Sequence, residues 1–193
     1  SHDLFSKILK LARLDSPETL ANYVQNSVSC FVVQTLLGSL RDKKQAESVV
    51  SCLLSLVNDG TLLDSDQKKR SVLWRLCEAA AKFGVCQHPV LRSLRHGFAL
   101  QLGLHITRIE DCVASLIDLR QPDAGTSARM NSAGARCLHY LLRFEPKLCR
   151  HVLKGIVALP TTSIEFLLRD GLGSRCILDG ILQGPVSEPP FSQ

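Results

Sequence analysis

The chain has 193 residues, of which 45% are hydrophobic and 21% charged, and it carries a formal net charge of +5. That is length and apolar content enough for one ordinary domain with a real core, and no apolar run approaches the ~20 residues that a bilayer span needs. The mildly basic balance admits a polyanionic partner without requiring one.

Apolar residues recur at helical spacing almost throughout, and no sustained alternating pattern appears, so the expected fold is all-α. The opening SHDLFSKILK lacks the apolar stretch of a signal peptide. Within it and just beyond, Leu4, Ile8 and Leu11 mark a first helix. Others are expected at Phe31–Leu40, at Ala46–Val57 up to the NDG turn signal, and at Ser71–Phe83 up to Gly84. His88–Leu102 and Arg108–Leu119 follow, and then the polar, loop-like RQPDAGTSARMN. The last expected helices are Ala133–Leu142, Pro146–Ala158, Thr162–Arg169 and Arg175–Leu182. The folded unit is expected to cover residues 1–182, leaving 183–193 as a disordered tail rich in proline and polar residues.

Many short helices with short links suggest helical repeats. The stretches SVSCFVVQTLL (27–37) and SAGARCLHYLL (132–142) align without a gap, and GLGSRCILDGIL (171–182) matches them with a one-residue ambiguity. A weaker copy, SVLWRLCEAA, starts at Ser71 with Val72 first and Leu76 fifth, positions fit only for packing. Anchors at 29, 71, 134 and 173 imply units of roughly 30 to 45 residues, with one badly degenerate unit near 103–108. The reading is an α-solenoid of partly degenerate repeats. In the first copy Cys30 and Gln34 lie four apart on one face beside Phe31. An unpartnered buried glutamine is costly, so that stripe should face something polar, either solvent or a ligand.

The pattern D-x-x-G-S-R followed by apolar residues, together with S-C-F-V-V-Q, resembles the second helix of a Pumilio (PUF) repeat. The irregular spacing and the run SVLWRLCEAAAKFG look most like the nucleolar Pumilio-like proteins of small-subunit ribosome biogenesis. In that family the first and fifth residues of the helix touch a base edge, and the second stacks on its face. The resemblance therefore implies edge contacts by Cys30 and Gln34 with Phe31 stacking, a combination similar to the family's adenine reader. It implies edge contacts by Ala135 and His139 with Arg136 stacking. In the last copy it implies either Ser174, Arg175 and Leu178 or Arg175, Cys176 and Asp179, according to the register. The implied partner is single-stranded RNA, pre-ribosomal RNA in particular, with ribosome-assembly proteins as neighbours and a nucleolar location.

The competing reading is a HEAT- or armadillo-like solenoid that binds protein. Arginines on the face of Gln34 would favour RNA, and an apolar groove there would favour protein. No Walker loop, HExxH or GxSxG occurs, so no enzyme is expected. The eight cysteines contain no CxxC pair and sit singly in apolar stretches, as reduced thiols of an intracellular protein would. Cys86/His88, Cys137/His139 and Cys149/His151 are two residues apart and point to different faces of a helix, so neither a metal nor any other cofactor is expected.

Overall fold

The computed structural model describes residues 16–26, 28–64, 66–117 and 131–184, together with 7, 10, 11, 13 and 14. Leu4 and Ile8 of the expected first helix, nearly all of the polar stretch 120–131, and residues 185–193 of the expected tail lie outside them. The helices are α1 (Pro17–Gln25), α2 (Cys30–Gly38), α3 (Lys43–Asn58), α4 (Gln67–Phe83) and α5 (Gln87–Leu102). They continue with α6 (Val113–Ile117), α7 (Ser132–Leu141), α8 (Pro146–Val157), α9 (Thr161–Arg169) and α10 (Gly171–Gln183). Short 3-10 turns at Thr61–Leu63 and Ile109–Cys112 complete the set, and no strand occurs among the described residues. None of these helices is long and apolar enough to cross a bilayer alone.

Local chemistry accounts for most boundaries. Pro17 opens α1, where its fixed φ suits the first turn and its missing N–H costs nothing. The Asp42 carboxylate caps α3 by accepting from the Gln45 N–H at 2.8 Å. α4 stops at Gly84, whose φ of 62° supplies the left-handed residue that a helix end favours. The sequence pattern missed α1 as a separate helix and split Ile109–Ile117 less finely than the chain does.

The helices form two rows. In the inner row α2, α4, α7 and α10 pack side by side in that order. In the outer row α3 packs on α5, α5 on the Ile109–Cys112 turn, and that turn on α8, while α1 bridges α2 and α3. This is an all-α solenoid, as the periodicity predicts. The expectation of an additional degenerate unit near 103–108 is corrected: α4 lies directly against α7, and residues 104–108 run between outer-row elements without helix. The extra chain length between the second and third copies is therefore spent in the outer row.

Each inner helix buries a stripe between the rows: Val33, Leu36 and Leu37 in α2, Val72, Leu73 and Leu76 in α4, Cys137, Leu138 and Leu141 in α7, and Cys176 and Ile177 in α10. Burial of such side chains contributes roughly 1.5–3 kcal/mol each relative to exposure. Where two backbones approach most closely the chain has glycine. A Cβ on Gly134 of α7 would collide with the Leu116 carbonyl at the end of α6. Because that neighbour is backbone, it cannot swing aside. Gly134→Ala should therefore destabilise the fold by about 1–3 kcal/mol through overpacking, read as a lower urea midpoint, whereas Ser132→Ala on the exposed side of the same helix should leave the midpoint nearly unchanged.

Candidate nucleic-acid interface

Three inner helices begin with the same device. Asn26 Oδ1 accepts from the Val28 and Ser29 N–H groups at 2.9 and 3.2 Å. Asn131 Oδ1 accepts from Ala133 and Gly134 at 3.0 and 3.1 Å. Asp170 Oδ1 accepts from Leu172 and Gly173 at 3.0 and 2.8 Å. A side-chain oxygen that satisfies two orphan donors sets where the helix starts and hence which residues face out. Counting four residues on from each cap gives Cys30, Ala135 and Ser174; five on gives Phe31, Arg136 and Arg175; eight on gives Gln34, His139 and Leu178.

The common cap resolves the ambiguity of the last copy. Ser174, Arg175 and Leu178 are in register with Ala135, Arg136 and His139, and Cys176 and Ile177 are buried as Cys137 and Leu138 are. Asp179 then corresponds to Tyr140. The exposed second position is common to all three helices: Phe31, Arg136 and Arg175 reach solvent. The first position is not. Cys30 is 0% exposed and Ala135 1%, so the two side chains expected at a base edge are buried in this chain.

α4 carries a unit that was missed. Val72, Leu73 and Leu76 are indeed core, but the outward stripe is two residues further on. Trp74, Arg75 and Glu78 line the same hollow as Arg136, His139 and Arg175. The sequence signal was W-R-x-x-E beside A-R-x-x-H and S-R-x-x-L; alignment on the arginine rather than on the small residue before it finds the match. α4 is capped by Asp66, which accepts from Lys68 at 2.8 Å, and has about one additional turn before the unit, which returns it to nearly the same face.

The hollow, of about 240 Å³, spans α4, α7 and α10. The guanidiniums of Arg75 and Arg136 lie over the Trp74 ring, 4.1 and 5.0 Å from its centre. Tyr140 lies parallel to the same ring at 6.3 Å, with His139 edge-on to Tyr140 at 4.8 Å. Trp74 is itself only 9% exposed, so it serves as a pedestal that restrains two planar cations, each worth roughly 0.5–2 kcal/mol by cation–π attraction. Arg75 Nη1 pairs with Glu78 Oε2 at 2.6 Å, and the Tyr140 hydroxyl donates to Glu78 Oε1 at 2.9 Å. His139 Nδ1–H donates to the Cys176 carbonyl at 3.2 Å, tying α7 to α10. In the neutral ring this leaves Nε2 as an acceptor.

Burial first, and then a hydrogen bond with Cys77, hold the Cys137 thiol well above its ordinary value. Its neighbour two residues on, His139, turns instead toward α10. At the other end of the row the Gln34 amide N–H donates to the Lys68 carbonyl of α4 at 3.4 Å. Phe31, 53% exposed, borders an open apolar groove of about 380 Å³ with Val32 and Leu36.

Burial, and then the bond to Glu78, push the Tyr140 phenol up to about 12. A group raised in the folded state stabilises fully below its unfolded value and loses that contribution as pH rises through the folded one. The native state should therefore weaken between about pH 10 and 12, and Tyr140→Phe should flatten that slope. The chain has two tyrosines, so the tyrosinate absorbance of Tyr23→Phe, which leaves Tyr140 alone, should show this late titration.

A family model, the NOP9-like PUF repeat domain, matches residues 2–193. Neither the curated proteins nor the solved structures compared with the chain gave a match. The family match spans both rows of helices and includes every inner helix that carries the capped motif. The chain thus belongs to the NOP9-like PUF repeat family and is an RNA-binding helical-repeat scaffold.

Proposed function

We propose that the chain binds single-stranded pre-ribosomal RNA along its inner row, as a non-enzymatic scaffold of small-subunit ribosome assembly in the nucleolus, with assembly proteins as neighbours. The observation that carries this reading is the repetition of a planar cation on consecutive helices: Arg75, Arg136 and Arg175 line one hollow. Guanidinium planes spaced one per repeat are suited to stacking on successive unpaired bases. A hollow lined by three arginines also favours RNA over the HEAT- or armadillo-like protein groove.

In this reading Phe31 and the three arginines stack, while Gln34, Glu78 and His139 meet base edges. Gln34 can both donate and accept, which suits adenine. Ser174 is half-buried and in register to assist Arg175, whereas Leu178 can form no hydrogen bond, so discrimination should be poorest there. Asp179 borders the hollow and offsets part of its positive charge. Cys30 and Ala135 act only by setting the distance between helices.

Fluorescence anisotropy with short labelled RNAs at two salt concentrations tests this. Binding should be weak and fall steeply as salt rises. Arg136→Ala should cost about 1–3 kcal/mol of affinity, the worth of one stacked base. Gln34→Ala should weaken adenine-containing RNA most and shift melting little. Val33→Ala, fully buried, should instead lose roughly 1–3 kcal/mol of stability and affect RNA only through folding. Absence of binding at low salt, or an Arg136→Ala variant that binds as the parent does, overturns the reading.

A further inference from the structure

A second, larger hollow lies in the outer row, where α5, residues 107–110 and α8 meet. It measures about 450 Å³. Arg92, Arg95 and Arg108 stand on its walls, against one carboxylate, Glu110. Glu110 is already occupied by His151, whose Nδ1 is 2.9 Å from Oε1. Burial alone would raise that carboxyl, but the His151 bond and its other polar contacts outweigh it and hold the group below its usual value. Arg95 is spent in part on the Thr107 carbonyl at 2.8 Å, and Arg108 on Asp111 at 3.1 Å. Arg92 is exposed and makes no ion pair or hydrogen bond among the described residues.

The floor differs from that of the inner hollow. It is built of Leu91 and Leu148, with Ile109 beside them; the rings on its walls are the imidazoles of His88 and of His151, the latter bonded to Glu110. A base entering here would meet leucine rather than the indole that backs Arg75 and Arg136 in the inner hollow. A chain that alternates carboxylates with aliphatic side chains matches both surfaces: arginine forks take carboxylates in pairs, and the leucine floor takes the apolar groups. We propose that this outer hollow is a docking site for a short acidic, leucine-rich segment of a partner protein, held by Arg92, Arg95 and Arg108 over the Leu91–Leu148 floor. The RNA row and the peptide hollow then lie on different rows of one scaffold, so both can be occupied at once.

The test is an NMR titration of the whole chain, read at the arginine Nε–H signals under mildly acidic conditions. The probes are an end-blocked peptide of alternating glutamate and leucine, and oligouridine. The peptide should move the signals of Arg92, Arg95 and Arg108 and leave those of Arg75, Arg136 and Arg175 in place. Arg92→Glu should weaken the peptide at least tenfold without changing the melting temperature or oligouridine binding, and Arg92→Ala should show a smaller loss of the same kind. No shifts at the outer arginines, shifts scattered over the whole surface, or displacement of the peptide by oligouridine overturns the proposal. Failure of oligouridine to bind at all would count against the inner-row reading and leave this one standing.

Discussion

The rotational phase of the inner helices is the constraint on which the rest of this structure depends. A helix can present any stripe to its neighbours, and only one choice puts the arginines outward and the leucines between the rows. Asn26, Asn131 and Asp170 make that choice locally, each by fixing two N–H groups of a first turn. The buried stripe makes the same choice globally, because turning a helix by one residue would put Leu138 in water and Arg136 in the core. Agreement between local cap and global burial is what makes a repeat recognisable in so irregular a chain.

With phase fixed, the seams decide what the outward stripe can do. Between α4 and α7 an indole, a phenol and two guanidiniums are packed into one array, with Glu78 binding Arg75 on one side and Tyr140 on the other. Such an array holds the cations in place before any ligand arrives, so less rotamer entropy is lost on binding. Between α7 and α10 the His139–carbonyl bond adds to the close approach of Gly180 to Leu142 and the His139 backbone. Between α2 and α4 the Gln34 amide reaches the Lys68 carbonyl through a long bond near the surface, beside the buried apolar packing of the two helices. At the first helix of the row Phe31 and Val32 border an apolar groove.

The two rows divide charge and apolar surface differently. The inner hollow sets arginines over aromatic rings, and the outer one sets arginines over leucines. The same cation has different uses over the two floors. Over an aromatic pedestal it is a plane on which a base can lie; over an aliphatic floor it is the charged rim of a site for an acidic chain. Residues 104–108, which leave the outer row without a helix at that point, bring Thr107 and Arg108 to the wall of the outer hollow.

All-α character, most helix positions and the first and third repeat copies were legible from the residues alone, because they rest on periodicity and on caps within a few residues of what they cap. The outward placing of Phe31, Arg136 and Arg175 was legible for the same reason, since phase within one helix is a local property. The α4 unit was not, because an additional turn separates Asp66 from Trp74 and shifts the register by a length no short pattern contains. Nor was the burial of Cys30 and Ala135, which depends on how closely the neighbouring helix approaches. The direct contact of α4 with α7 was likewise decided only in three dimensions. It follows from which apolar stripes interlock, and a chain that detours through the outer row between α4 and α7 gives no sign in its sequence that those two helices touch.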